Sequence, residues 1–102
     1  MLFIETPIFT KQASGGLFTD EELKQLQNEL LKNPNKGDLI AGSGGLRKIR
    51  MARKGRGKSG GFRIIYYRSN PDTIFFLLAY SKNEQGNLSK SEIKLLRTLI
   101  EN

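Results

Sequence analysis

Hydrophobic and polar residues follow two different spacings along the chain, and these predict strands and helices in a definite order. Residues 1–5 form a short apolar segment that contains β-branched Ile4 and predicts a strand. Thr6-Pro7 follows and is typical of a helix N-cap with proline at the first helical position. Gly15-Gly16 ends that short helix. The chain is therefore predicted to start with a strand and a helix.

A second helix is marked at both of its ends. Thr19 and Glu22 form a capping box, with Phe18 and Leu23 placed as a hydrophobic staple. Segment 33–37 contains proline and glycine and ends the helix. Between these signals leucines recur at helical spacing, and we expect them to face the core. They are Leu23, Leu26, Leu30 and Leu31.

Three further strands are predicted after a glycine-rich loop at 37–45. In segment 46–52 the residues alternate, so that Ile49 and Met51 point to one side and Lys48 and Arg50 to the other. The segments at 62–67 and 73–80 are rich in aromatic and β-branched residues. A turn at 69–72 joins them, which predicts adjacent, central, antiparallel strands.

The last predicted elements are a loop and a helix. Residues 53–61 predict a basic, glycine-rich hairpin loop. Ser89 and Glu92 repeat the capping box and open a C-terminal helix that runs through Leu96, Leu99 and Ile100. The order is β-α-α-β-β-β-α, which is the α+β class. We expect an antiparallel sheet whose helices cover one face and whose other face is concave and positively charged.

Charge is unevenly distributed along the 102 residues, which form one expected domain at 1–102 and carry a formal net charge of +7. Segment 39–71 holds nine of the 17 Lys and Arg residues and no Asp or Glu. Such a concentrated positive field attracts polyanions, namely nucleic acid, anionic lipid or an acidic protein segment.

Several kinds of chemistry are excluded by residues that the sequence lacks. It has no cysteine and no histidine, which excludes disulfides, thiolate nucleophiles and Ser-His-Asp triads. The ten carboxylates are scattered, so we expect neither a metal site nor any other cofactor. No signal peptide and no membrane span is predicted, and a cytoplasmic location is expected.

Four cations on or beside predicted strands are candidates for catalysis. They are Lys48, Arg50, Arg63 and Lys82. RNA supplies its own nucleophile, the 2′-hydroxyl, so a protein needs only to align it, remove its proton, stabilise the phosphorane and protonate the leaving oxygen. Arginine suits the phosphorane because its planar fork binds two oxygens. A lysine crowded by other cations suits proton transfer because its pKa falls towards neutrality.

A second set of residues is predicted to bind RNA. Aromatic rings can stack on bases, and further cations can contact phosphates. Most of the aromatic residues are expected in the core, but two lie beside the candidate cations. The predicted RNA-binding residues are Arg47, Arg53, Lys54, Arg56, Lys58, Tyr67 and Tyr80.

Three segments together resemble the RelE/ParE superfamily of type II toxins, in its RelE/HigB branch. Residues 44–50 read GGLRKIR, residues 60–67 read GGFRIIYY and residues 79–84 read AYSKNE. The resemblance extends over nearly the whole chain. It implies a RelE-like, microbial-ribonuclease-like fold, ribosome-dependent and metal-independent cleavage of mRNA, and inhibition by a cognate antitoxin.

The resemblance also implies roles for individual residues. Lys48 and Arg50 resemble the basic residues of the RelE strand that contacts and activates the RNA, and Arg63 resembles the arginine of the transition state. Lys82 resembles the basic residue after the last strand. Asn87-Leu88 stands where RelE has a tyrosine, so the general base and acid stay open between four residues. These are Lys48, Lys82, Tyr80 and Glu84.

Two other functions remain open at this point. A ParE-like toxin of the same fold would inhibit DNA gyrase without being an enzyme, and a plain RNA-binding module would dock on RNA without cleaving it. The cations on the predicted sheet favour the nuclease, because a toxin that binds protein needs no convergent phosphate site. Cleavage of mRNA in a translation extract separates the nuclease from both alternatives.

Overall fold

The computed structural model describes residues 1–52, 61–81 and 88–100 and has the predicted α+β class. The predicted loop at 53–61 lies outside the described residues except for Gly61, and so does Lys82. None of the helices in the described ranges is long and apolar enough to cross a membrane. The elements are β1 (Leu2–Glu5), α1 (Pro7–Ser14), α2 (Asp20–Lys32), β2 (Asp38–Leu39), β3 (Leu46–Met51), β4 (Phe62–Asn70), β5 (Thr73–Ser81) and α3 (Lys90–Thr98).

All three helices begin at the predicted caps. The Thr6 hydroxyl accepts a hydrogen bond from the Phe9 N–H at 3.1 Å, with proline in the first turn. Thr19 begins α2 and Ser89 begins α3, each with a complete capping box. These bonds satisfy backbone donors that the first helical turn leaves unpaired. The local sequence therefore determines where each helix starts.

The five strands form one mixed sheet in the order β1-β5-β4-β3-β2. The expectation of an antiparallel sheet is wrong for β1, which pairs in parallel with β5. Four residues of strand pattern do not specify a distant partner, so the sequence could not reveal this pairing. The loop predicted at 37–45 also contains β2, whose Asp38 and Leu39 pair with Lys48 and Arg47. β4 lies at the centre of the sheet and pairs antiparallel with both β3 and β5, as predicted.

Helices cover both faces of the sheet, so the expectation that they cover only one face is wrong. On one face, α1 and α2 pack their buried residues against the sheet, although Leu31 of the predicted stripe is exposed. On the other face, Leu96 of α3 packs on Leu46 and Leu77. Ile64 and Ile65 are consecutive and both fully buried, so β4 is apolar on both sides and requires two covering layers.

The side of the sheet that α3 covers, here called the α3 face, carries the alternate positions of β3 and β4. Ile49 and Met51 belong to the core under α1 and α2, as predicted. Strand alternation therefore places Leu46, Lys48 and Arg50 on the α3 face. Leu46 lies in the core under α3, whereas Lys48 is half-buried and Arg50 is exposed. One end of this face is thus apolar and covered, and the other end is cationic and open.

Candidate anion-binding site

Three polar side chains form a row across the central strands on the α3 face. Arg50 of β3 pairs directly with Arg63 of β4, and Arg63 pairs directly with Tyr80 of β5. Side chains at directly opposite positions have Cβ atoms about 4.5–5.5 Å apart. Lys48 precedes Arg50 by two residues and therefore shares its face. We call Lys48, Arg50 and Arg63 the cationic cradle.

Two arginines at directly opposite positions repel each other and destabilise the pair of strands. An anion between their guanidinium groups would reverse this effect, because each group can donate two parallel hydrogen bonds to phosphate oxygens. The cradle therefore has the chemistry of a phosphate site. Three of the four candidate cations, Lys48, Arg50 and Arg63, therefore lie together, and their role in catalysis stays a prediction.

The cradle opens into a cavity of about 370 Å³. Its lining includes the three cradle residues together with Lys36 and Asp38. Asp38 stands directly opposite Lys48, and it also lines a second cavity of about 390 Å³ that extends to Ile93 of α3. A carboxylate thus borders a cationic site, and a carboxylate can accept a proton.

Asp38 is the residue that sequence reasoning missed at this site. The two-residue strand β2 is too short to produce an alternating pattern, so segment 37–45 reads as a loop. The sequence signal that could have indicated β2 is the group of glycines after it, Gly42, Gly44 and Gly45. In the structure all three have positive φ. Glycine adopts such backbone angles freely and so permits the tight return that places β2 beside β3.

Arg63 is half-buried, and its Nε atom is fully buried. Within the described ranges of the chain this N–H has no hydrogen-bond partner. Leaving a buried donor unpaired costs about 1–3 kcal/mol. Arg68 Nε is buried and unpaired in the same way, so the feature that distinguishes Arg63 is that it lines the cavity.

Tyr80 is only 3% exposed and packs in the core with Leu77 and Leu96. Burial raises the pKa of its phenol above the ordinary value, while Arg63 lowers it and Glu92 raises it further. The charges of Arg63 and Glu92 therefore both act on this phenol. Its ring is enclosed, so the stacking on a base that we predicted for Tyr80 has no open surface to use.

Tyr67 shares the α3 face but lies at its covered end. The guanidinium carbon of Arg97 is 5.4 Å from the centre of the Tyr67 ring, a cation–π distance. Arg97 also donates a hydrogen bond to the Gly44 carbonyl at 3.2 Å. A Cβ at Gly45 would come within 3.2 Å of the same ring, which explains a glycine there. Tyr67 is therefore packed between α3 and the loop, and the predicted stacking on RNA remains a prediction.

Arg47 points to the opposite face of the sheet and is not brought together with the cradle. Its Nη1 donates hydrogen bonds to the carbonyls of Gly37 at 2.7 Å and Asn35 at 3.2 Å. The Tyr66 hydroxyl accepts from the Gly37 N–H at 2.9 Å and donates to the Pro34 carbonyl at 2.9 Å. Arg47 thus holds the segment before β2, a contact that its strand position alone did not reveal.

The remaining predicted cations lie outside the described residues and stay predictions. They are Arg53, Lys54, Arg56, Lys58 and Lys82. Over residues 1–52, 61–81 and 88–100, no three Asp or Glu side chains come together as metal ligands would.

A comparison with protein-family models identifies a match over residues 1–102. The matching family is described as the RelE toxin of the RelE/RelB toxin–antitoxin system. The match includes both strands of the cradle, β3 and β4, together with β2 and α3.

Proposed function

Because the chain belongs to the RelE toxin family of RelE/RelB toxin–antitoxin systems, we propose that it is a ribosome-dependent endoribonuclease of the RelE/HigB type. As a toxin of such a system it has a cognate antitoxin as its partner. We propose a single toxin domain at 1–102 that acts in the cytoplasm, where ribosomes and mRNA are found. The observation that carries the enzymatic proposal is the cationic cradle, in which Arg50 and Arg63 stand at directly opposite positions.

The cradle supports cleavage by the 2′-hydroxyl of the RNA itself. A phosphate between Arg50 and Arg63 gains negative charge when the 2′-oxygen attacks it. Fixed guanidinium donors stabilise this charge more strongly in the transition state than in the ground state. The products are a 2′,3′-cyclic phosphate and a free 5′-hydroxyl, and no metal or cofactor takes part.

Proton transfer is proposed for residues at the open rim of the cavity. Lys48 is half-buried beside Arg50 and can donate a proton to the leaving 5′-oxygen. Asp38 lies opposite Lys48 and joins the candidates for the base that removes the 2′-proton. Lys82 and Glu84 stay candidates for the general base or the general acid.

The docking surface is proposed to continue from the cradle along the basic segment at 53–58. Its cations Arg53, Lys54, Arg56 and Lys58 follow directly on β3, the strand that carries Lys48 and Arg50. Phosphate contacts of this kind give affinity without sequence preference. They would hold the toxin against ribosomal RNA and mRNA, while the cradle selects the bond to be cleaved.

The cationic cradle gives less support to the two alternative functions, a ParE-like inhibitor of gyrase and a plain RNA-binding module. A ParE-like toxin that binds gyrase gains nothing from two arginines placed against each other. A plain RNA-binding module needs phosphate contacts, but it does not need a carboxylate in the same cavity as the cations. Both alternatives predict intact mRNA.

A translating bacterial extract tests the proposal. Added toxin is expected to cut a reporter mRNA within its translated region, and prior addition of the antitoxin encoded by the neighbouring gene should prevent cleavage. A supercoiling assay with purified gyrase is the parallel control and should be unaffected. Intact mRNA together with inhibited gyrase would establish the ParE-like alternative, and intact mRNA with unaffected gyrase would support plain RNA binding.

A further inference from the structure

Two buried polar atoms at neighbouring positions have no partner within the described chain. They are the Nε of Arg63 and the hydroxyl oxygen of Tyr80. Arg63 and Tyr80 stand directly opposite each other on β4 and β5, with both side chains on the α3 face. One atom is an N–H donor and the other can accept a hydrogen bond, so each is a chemically suitable partner for the other.

The Tyr80 side chain is held firmly in place. Its ring packs with Leu46, Leu77 and Leu96 in the core under α3. The strand beneath it is fixed from the other side by Gln12 of α1, whose side-chain amide bonds both the N–H and the carbonyl of Ala79. The amide of Gln12 thus continues the hydrogen bonding of β5 beyond the end of β1.

Arg63 differs from Tyr80 because part of its side chain reaches the cavity. It is half-buried and lines the cavity together with Lys48 and Arg50. A guanidinium group has a planar fork, and its Nε–H points in a different direction from the outer edge of the two Nη atoms. One side of the group can therefore bind a phosphate while Nε binds a protein acceptor.

We propose that the Tyr80 hydroxyl accepts a hydrogen bond from Arg63 Nε–H when Arg63 binds the phosphate, which makes Tyr80 a positioning residue for the transition-state arginine. This inference rests on the proposed function of Arg63 in cleavage. The buried hydroxyl does not contact the RNA and acts only through Arg63. It fixes the plane of the guanidinium so that both Nη atoms face the phosphate oxygens.

Glu92 lies in the first turn of α3, the helix that covers the Tyr80 ring. Its backbone N–H bonds the Ser89 hydroxyl and its Oε1 accepts from the Ser89 N–H, so the capping box fixes where this carboxylate lies. Burial raises the pKa of the Tyr80 phenol most, while the charge of Arg63 lowers it and that of Glu92 raises it.

Tyr80→Phe removes the hydroxyl and keeps the buried ring, so the fold should be retained. We expect single-turnover cleavage of ribosome-bound mRNA to slow by about 10- to 100-fold, the range for losing a hydrogen bond to a charged group. Ribosome affinity and the melting temperature should stay near the wild-type values. In an Arg63→Ala background the same change should slow cleavage less than about 2-fold, since residues that act through one another are not additive.

The outcomes separate this inference from the function on which it rests. If wild-type protein cleaves mRNA and Tyr80→Phe cleaves equally fast, the positioning role is wrong and the nuclease stands. Equal slowing by Tyr80→Phe in the wild-type and Arg63→Ala backgrounds would also overturn it, because the effect would then bypass Arg63. If wild-type protein does not cleave mRNA, the proposed function fails.

A measurement without cleavage tests the pairing itself. The Arg63 Nε–H signal is followed by NMR while inorganic phosphate is added to the full chain. In wild-type protein, phosphate should slow hydrogen exchange of this N–H at least about 10-fold more than in Tyr80→Phe, as expected for a partnered donor. Equal exchange rates in the two proteins would overturn the inference, whatever the activity of the toxin.

Discussion

Replacing Arg63 with alanine is expected to slow mRNA cleavage by about 10²- to 10³-fold, the loss typical of removing one donor to the transition state. Arg63 faces Arg50 directly across β3 and β4 and lines the cavity. Its guanidinium can bind two oxygens of the phosphorane, where negative charge increases as the bond to the 2′-oxygen forms. Single-turnover cleavage on programmed ribosomes measures the effect, and ribosome affinity should change little.

Arg68→Ala is the matched control for this variant. Arg68 is on the same strand and is also half-buried, but it lies near Tyr66, which belongs to the core under α1 and α2. Removing the same charge there should leave cleavage within about 2-fold of the wild-type rate, because Arg68 does not line the cavity. Arg63→Lys should recover only part of the rate because an ammonium group cannot form a two-pronged contact. A wild-type rate for Arg63→Ala would remove this residue from the mechanism.

Affinity for ribosomes is expected to fall by about 10³-fold or more between about 50 and 200 mM salt, if about six or more phosphates are contacted. Segment 39–71 carries nine cations and no Asp or Glu. Two of these cations, Lys48 and Arg50, lie at the open end of the α3 face. Each phosphate that a cation neutralises releases counterions, so the logarithm of affinity falls linearly with the logarithm of salt concentration. Equilibrium binding to ribosomes at a series of salt concentrations measures the slope.

Single substitutions identify which cations produce this slope. Arg50→Ala should reduce it by about one unit, because one phosphate contact is lost. Lys24→Ala removes the same charge from an exposed position on α2, the helix on the opposite side of the sheet, and should leave the slope unchanged. An equal change of slope in the two variants would mean that net charge alone drives binding. A flat salt dependence of the wild-type protein would mean that segment 39–71 is not the docking surface.

Local signals in the sequence predicted the elements that build the site. Thr19 with Glu22 and Ser89 with Glu92 begin helices where the capping boxes indicate. The alternation around Ile49 predicts that Lys48 and Arg50 share one face of β3, and they do. These features depend on neighbours within a few residues, so the sequence contains the information needed to predict them.

Features that depend on distant segments were missed. The packing of Leu96 on Leu46 joins residues 50 positions apart, and no local pattern indicates which face a helix covers. The pairing of Asp38 with Lys48 depends on a tight return through glycines, and the burial of Tyr80 depends on α3. The site therefore differs from its predicted form in two ways. A carboxylate, that of Asp38, borders the cations, and the Tyr80 ring is enclosed where an open ring was expected.

We propose that the cationic cradle promotes attack by the 2′-hydroxyl of mRNA. This proposal is tested most directly by placing a single 2′-deoxynucleotide at the mapped cleavage position of an mRNA bound to ribosomes. Wild-type protein is expected to cleave the all-ribose mRNA to a 2′,3′-cyclic phosphate and a 5′-hydroxyl, and to leave the deoxy-substituted bond intact. Cleavage of the substituted bond, or a product with a 3′-hydroxyl, would contradict it.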